Sequence, residues 1–226
     1  MPRLLALDSS TEACSAALID GDILCQRYVE APREHMARLL PMVDELLVER
    51  GCALRDLDAI AFARGPGSFT GLRICMGIVQ GLAFGANLPV IPVSTLAALA
   101  QTWIAAQPQA SICSPGTRIL SAIDARMDEV YWGWFGVDAA GLVESLGGES
   151  LSAPENVEVD GANVRIGVGS GWRYRPRISD AGFAVVDQTV LPSAAAVAQL
   201  ASSIWLRGGA VHVEQATPVY LRDKVV

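Results

Sequence analysis

The chain has 226 residues, 51% of them hydrophobic and 18% charged, with 17 basic against 24 acidic side chains and a formal net charge of −7. At roughly 100–200 residues per domain this is one large domain or two small ones with a real core, and the composition excludes intrinsic disorder. The acidic balance argues against a protein that grips nucleic acid unaided, which needs clustered Lys and Arg. Lys224 is the sole lysine, so a Walker A loop, whose Lys reaches the phosphates, is excluded.

Cys14, Cys25, Cys52, Cys75 and Cys113 form no C-x-x-C pair and are odd in number, which reads as buried thiols of a cytoplasmic protein. Only His35 and His212 are available for triad or metal chemistry. Asp8 interrupts the N-terminal apolar run, against a secretory signal. No formal charge occurs between Arg73 and Arg118, yet Asn87, Pro89 and Pro92 break the stretch before it reaches the length of a membrane span.

In chain order, apolar runs at 3–8, 13–19 and 23–29 predict three strands, with Asp20-Gly21-Asp22 as a hairpin turn. From Met36 the apolar residues recur at 36, 39, 40, 43, 46 and 47, a helical stripe that Gly51 ends and Pro41 bends or opens. A strand over 57–63, a helix over 70–85, a strand over 90–93 and a helix over 94–106 capped by Ser94 complete a βββαβαβα order. Residues 107–117 read as a linker. The pattern then restarts with strands at 119–124 and 129–137 and another after Gly141, so each half opens on a strand ending in aspartate, Asp8 or Asp124. The second copy looks degraded, with short strands near 164–168 and 184–186 and an Ala-rich helix over 193–206. The predicted fold is α/β, two βββαβα halves with mixed sheets, 1–106 and 107–226, the tail packing back on the first half.

Several groups of residues are candidates for function. Asp8-Ser9-Ser10-Thr11 sits where a strand turns into its neighbour and could offer hydroxyls and amides to a phosphate, or be an ordinary polar turn. The run from Arg64 through Gly65, Pro66, Gly67, Ser68, Phe69, Thr70, Gly71 and Leu72 to Arg73 joins a buried strand to a helix. An anion site and a tight structural connection stand level as readings of it. Gly77, Gly81 and Gly85 make a smooth stripe on the following helix, which predicts close packing within its own domain, with a partner chain as the alternative. Asp124-Ala125-Arg126-Met127-Asp128-Glu129 reads as a solvated turn with a local ion pair, and Pro218 to Asp223 as a tail whose Tyr220 and Arg222 could anchor a partner.

Leu5 to Thr11, the Gly65–Arg73 run, Ala122 to Arg126 and Val219 to Arg222 together resemble the TsaB (YeaZ) family across nearly the whole chain. The resemblance implies an ASKHA-type protein of two RNase H-like halves. It implies a noncatalytic subunit in the synthesis of N6-threonylcarbamoyladenosine at position 37 of tRNAs that read ANN codons. The implied partners are TsaD, as a heterodimer, and the ATPase TsaE, with tRNA reached only through the complex and a homodimer in isolation. The dimer face would be Met36, Leu39, Leu40, Val43 and Leu47 with Ile74, Gly77, Ile78, Gly81 and Gly85. Asp8, Ser9, Ser10, Thr11, Gly65 and Gly67 would be a phosphate-binding remnant, and Asp124, Arg126, Asp128, Tyr220 and Arg222 the TsaE contact. No intrinsic cofactor and no metal are implied, with ATP or ADP held only at the interface within the complex. Where TsaD-like proteins carry a metal-binding H-x-x-x-H, the matching positions here are Thr95 and Leu99, which cannot ligate a metal as histidine does. An M22-type peptidase and a weak nucleotide binder are the rival readings.

Overall fold

The computed structural model describes residues 2–107, 116–159, 165–178 and 182–222, so Cys113, Asp223, Lys224 and most of the expected linker lie outside the described residues. The chain divides into two compact units, 1–98 with 192–219, and 99–191 with 220–226. The boundary expected at 106/107 is therefore corrected.

In the first unit, strands β1 (Arg3–Asp8), β2 (Ala13–Asp20), β3 (Ile23–Glu30), β4 (Ala59–Ala63) and β5 (Val90–Val93) form one sheet in the order β3-β2-β1-β4-β5. The hairpin strands pair antiparallel, and β1, β4 and β5 run parallel. Alternation along the strands sends Leu5, Leu7, Leu18, Ile60 and Phe62 to one face. There α1 (His35–Arg50) and α2 (Phe69–Ala86) cover them with Leu39, Met42, Val43, Leu46, Cys75 and Val79. The opposite face is lined by a row of small residues in register, Ala17, Ala6 and Ala61, beside Ile91.

That alanine row receives α4 (Ala194–Leu206), itself rich in buried alanine, which packs on β1, β2, β4 and β5. Small residues on both surfaces let helix and sheet approach closely. The first turn of α4 is held by Ser15 Oγ, which accepts from the Ala194 amide at 2.9 Å, by Gln26 Oε1 from Ala195 at 2.8 Å, and by its own cap Ser193. The Ala-rich helix expected in the second half thus belongs to the first unit. Composition and spacing marked it as a helix, but its docking is set by a sheet face 179 positions earlier in the chain.

The second unit repeats the topology. Strands β6 (Arg118–Asp124), β7 (Val130–Val137), β8 (Val143–Ser145), β10 (Arg165–Val168) and β11 (Phe183–Asp187) lie in the order β11-β10-β6-β7-β8, with β9 (Ser150–Ser152) also on β7. Reversed, that order is the first sheet's, with β6 in the place of β1. No helix like α1 or α2 lies between β7 and β11 among the described residues; 3-10 turns at Pro154–Asn156 and Ser170–Tyr174 stand there instead. Aromatic side chains supply the missing cover. The Trp172 indole lies on Gly167, where any Cβ would overlap the ring, and donates from Nε1 to Leu120 O at 3.2 Å. Phe183 meets Trp172 edge-on at 4.7 Å and stacks on Trp134 at 6.0 Å. Trp172→Ala is expected to cost about 3–5 kcal/mol. Urea unfolding followed by near-UV dichroism would measure it, and a cost under about 1 kcal/mol would show that the indole is not the cover.

Helix α3 (Thr95–Ala105) opens on Ser94, whose Oγ accepts from the Ala97 amide at 3.1 Å, as expected of that cap. Pro41 lies inside α1 without ending it. Helix α2 has the length and apolarity of a membrane span by composition, but one side of it lies on the sheet core.

Candidate functional site

The first aspartate turn and the glycine-rich run meet, and they meet backbone to backbone. Ser68 N donates to Ser10 O at 2.7 Å, and Ser9 Oγ to Gly71 O at 2.9 Å. A Cβ on Gly67 would collide with Ser10 O, and one on Gly71 with Ser9 O. One on Gly65 would lie 2.6 Å from Val219 O, beside the bond from Val219 N to Arg64 O. These glycines are required because main chain packs on main chain, so the tight-connection reading holds. Ser68 caps α2 by accepting from Gly71 N at 3.3 Å, and Gly65 N donates to Thr95 Oγ1 at 3.2 Å.

Asp8, Ser9, Ser10 and Thr11 are all buried. Asp8 Oδ1 accepts from the Ser10 amide at 2.8 Å, and Thr11 Oγ1 from the Ala13 amide at 3.3 Å. Carbonyl oxygens of Ser9 and Ser10 occupy the places where a phosphate would approach Gly71 and Gly67, and like charge repels there. Burial raises the Asp8 pKa to about 6, against which its bonds to Ser10 and the nearby His35 act only partly. Asp8 Oδ2 and Ser10 Oγ are buried without a hydrogen-bond partner.

His35 is buried at the first position of α1 and donates from Nε2 to Thr11 O at 2.9 Å. Cys14 lies nearby, its Sγ 4.0 Å from His35 O. Burial first and Asp8 second push the Cys14 thiol up to about 11, and burial pushes Cys75 up as well. Neither is a thiolate at neutral pH, so a Cys–His nucleophile is disfavoured at this spot.

The second aspartate turn is held by ions. Arg126, Met127 and Asp128 are successive left-handed residues, and Arg126 N donates to Asp124 Oδ1 at 2.9 Å. Arg173 reaches Asp124 at 3.1 Å, and Arg222 reaches Glu129 at 2.8 Å and Ala125 O at 3.0 Å. Asp124, Arg126, Asp128 and Arg222 therefore come together around one turn, and Tyr220, two residues before Arg222, is exposed. The reading of a solvated turn with a local ion pair undercounts this cluster, because Arg173 reaches Asp124 across 49 positions and Arg177 reaches Asp128 from the same segment.

The expected dimer face is corrected in part. Leu39 and Val43 are buried in the core of their own unit and cannot meet a partner, as are Met42 and Leu46. Met36 (72% exposed) and Leu40 (43%) point outward, while Leu47, Ile74 and Ile78 are half-buried. Gly77, Gly81 and Gly85 are exposed, and a methyl added to any of them would find nothing within 4 Å, so their stripe packs on no element of its own unit. Phe84 is 80% exposed beside it, and Phe69 carries the Arg73 guanidinium 3.8 Å above its ring. Helical spacing alone marks the buried and the exposed apolar positions alike.

At the two positions that the resemblance sets against the metal-binding histidines, Thr95 Oγ1 accepts from Gly65 N, and a Leu99 methyl fills the space over Gly169. Both side chains are buried and occupied with packing. Among the described residues no three His, Cys, Asp or Glu side chains group as a metal site would need.

The tRNA threonylcarbamoyladenosine biosynthesis protein TsaB of Escherichia coli (strain K12) is 42% identical over 231 residues, covering 99% of this chain and 96% of that protein. This chain belongs to the TsaB (YeaZ) family. The TsaB protein of Haemophilus influenzae is 39% identical, covering 98% and 94%. The solved structure of YeaZ from Pseudomonas aeruginosa superposes with a TM-score of 0.90 at 48% identity, covering 98% of this chain and all of that one. The family model for TsaD, the tRNA N6-adenosine threonylcarbamoyltransferase, matches residues 29–164. The TsaB family's duplicated ASKHA fold of RNase H-like halves is the fold described above.

Proposed function

We propose that the chain is a noncatalytic subunit of the machinery that makes N6-threonylcarbamoyladenosine at position 37 of ANN-decoding tRNAs, and that it forms a heterodimer with TsaD in the cytoplasm. The observation that carries this reading is the outer face of α2. An apolar helix that keeps Gly77, Gly81 and Gly85 open beside Phe84 gives up about 1 kcal/mol of helix propensity at each glycine with no return inside its own unit. Close approach of a partner helix would supply that return. Met36 and Leu40 on α1 extend the apolar surface. In isolation the same face would pair two copies of the chain.

The Asp124 turn, with Tyr220 and Arg222, belongs to the second unit, and we assign it to TsaE. ATP or ADP would be held only where subunits meet, since the Ser10 and Ser9 carbonyls stand against Gly67 and Gly71. The buried Thr95 and Leu99 and the protonated Cys14 support a partner role over a peptidase.

Replacing Gly81 by Trp puts a large side chain into open space on this chain and into the partner's backbone. Gly81→Trp should keep the dichroism spectrum and lose co-elution with TsaD. A folded variant that still assembles sinks the interface. Omitting the chain from a reconstitution with TsaD, TsaE and TsaC, the maker of threonylcarbamoyl-AMP in that pathway, should abolish threonylcarbamoyl transfer, and unchanged transfer would sink the subunit reading.

A further inference from the structure

We propose that the exposed arginine segment of the second unit, Arg173, Arg175 and Arg177, next to the turn assigned above to TsaE, is this chain's contact for the phosphodiester backbone of an RNA. The inference rests on the tRNA-modification reading above and extends it to a surface of this chain.

The chain carries a formal charge of −7, yet around the Asp124 turn the guanidiniums of Arg126, Arg173, Arg177 and Arg222 meet the carboxylates of Asp124, Asp128, Glu129 and Glu155. The layering matters more than the balance. The Asp124 side chain is 8% exposed and lies beneath Arg126 (72%) and Arg173 (60%), which it holds at 3.5 and 3.1 Å. Its negative charge is inside and the positive charge faces water. Arg177 sits on Glu155 at 2.9 Å and Asp128 at 3.4 Å. Exposed pairs of this kind are worth about 0–1 kcal/mol, so a phosphate can take the place of a carboxylate at little loss. Arginine also matches phosphate oxygens in a two-bonded fork.

The arrangement favours RNA over an acidic protein surface. Arg173, Arg175 and Arg177 are exposed and alternate with Tyr174 and Pro176. The Tyr174 ring has the Arg173 guanidinium at 5.5 Å and that of Arg177 at 5.8 Å, and its hydroxyl lies 3.4 Å from Asp124 Oδ1. Guanidiniums steadied by an aromatic ring provide both backbone contacts and flat surfaces against which unpaired bases stack. An overall negative charge weakens RNA binding by the isolated chain without abolishing it, and a partner supplies the rest of the surface.

The test is filter binding of a tRNA transcript to the chain assembled with TsaD, across a salt series. The triple variant Arg173→Gln, Arg175→Gln and Arg177→Gln should bind about tenfold more weakly, with a log–log salt slope shallower by about 2. Arg175→Gln alone leaves the pairs to Asp124, Asp128 and Glu155 in place and should lose about two- to threefold. Unchanged affinity and slope in a correctly assembled triple variant overturn the proposal. So does loss of TsaE binding with tRNA binding intact, which would give the face to a protein. Assembly is read separately by gel filtration: if the wild-type chain does not join TsaD, the subunit reading fails, and the same comparison on the chain alone decides the RNA contact.

Discussion

Gly71→Ala is expected to cost about 3 kcal/mol, whereas Gly77→Ala on the same helix should add about 1 kcal/mol. The two glycines differ in what a methyl would meet. At position 71 it would overlap the carbonyl oxygen of Ser9, which is itself fixed by the bond from Ser9 Oγ to Gly71 O, so relief requires moving main chain on one side or the other. Shifting that contact also strains the bond from Ser68 N to Ser10 O, a further loss of about 1 kcal/mol if it breaks. At position 77 the methyl meets nothing within 4 Å, and alanine restricts the unfolded chain more than glycine does. Urea unfolding of the two variants beside the parent measures both signs in one experiment. Similar stabilities for the two variants would mean that the Ser9 and Gly71 backbones are not in firm contact.

The second large effect is at Asp8. Asp8→Asn should stabilise the protein by about 2–3 kcal/mol at pH 7 and above, because a pKa raised to about 6 from 3.8 corresponds to about 1.4 kcal/mol per unit against the charged form. The folded state holds this proton more tightly than the unfolded state does. Its contribution is therefore most favourable below the unfolded value near 4, falls as pH rises through about 6, and is flat above. Asparagine removes the dependence, and its amide can donate to the buried Ser10 Oγ, which has no partner in the parent. The stability difference between the variant and the parent, followed from about pH 4 to 8, isolates Asp8 from the exposed carboxylates such as Glu155, whose pKa shifts the other way beside arginine. A difference that stays level across that range would show that Asp8 is solvated. An ionisable group kept in a place that penalises its charge fits descent from a fold that used this aspartate, since stability alone would favour asparagine.

Much of the fold was readable because each element carries a local signal. The apolar runs at 3–8, 13–19 and 23–29, the hairpin turn at Gly21 and the Ser94 cap depend on residues close in the chain. The restart at Ile119 after a first strand ending in Asp8 was likewise visible, and both sheets share one strand order. Helix α4 was misplaced because its stripe says that it packs, but its partner surface is the alanine row of Ala17, Ala6 and Ala61. In the second unit, Trp172 covers the sheet through Gly167, a pairing with no periodic signature.

The candidate sites were legible to different degrees for the same reason. Residue type and spacing marked Asp8–Thr11, the glycine-rich run and the Asp124 turn as special, and marked the helix expected over 70–85 as unusually smooth. Whether each glycine meets backbone, solvent or a partner is a question of distance. Gly67 and Gly71 accommodate carbonyls, while Gly77, Gly81 and Gly85 face outward. Leu39 and Leu40 are adjacent in the chain and separated by about 100° around a helix, which sends one to the core and the other to the surface.

The α/β class, the duplication, the lack of a Walker lysine and family membership follow from amino-acid order alone, because composition, periodicity and motif are properties of neighbouring residues. Packing in three dimensions set the rest: the first aspartate turn is closed by main chain, α2 presents its glycines outward, and arginines gather around Asp124. Each of those facts depends on groups that are distant in the chain, and only the packing of strands and helices sets the distances between them.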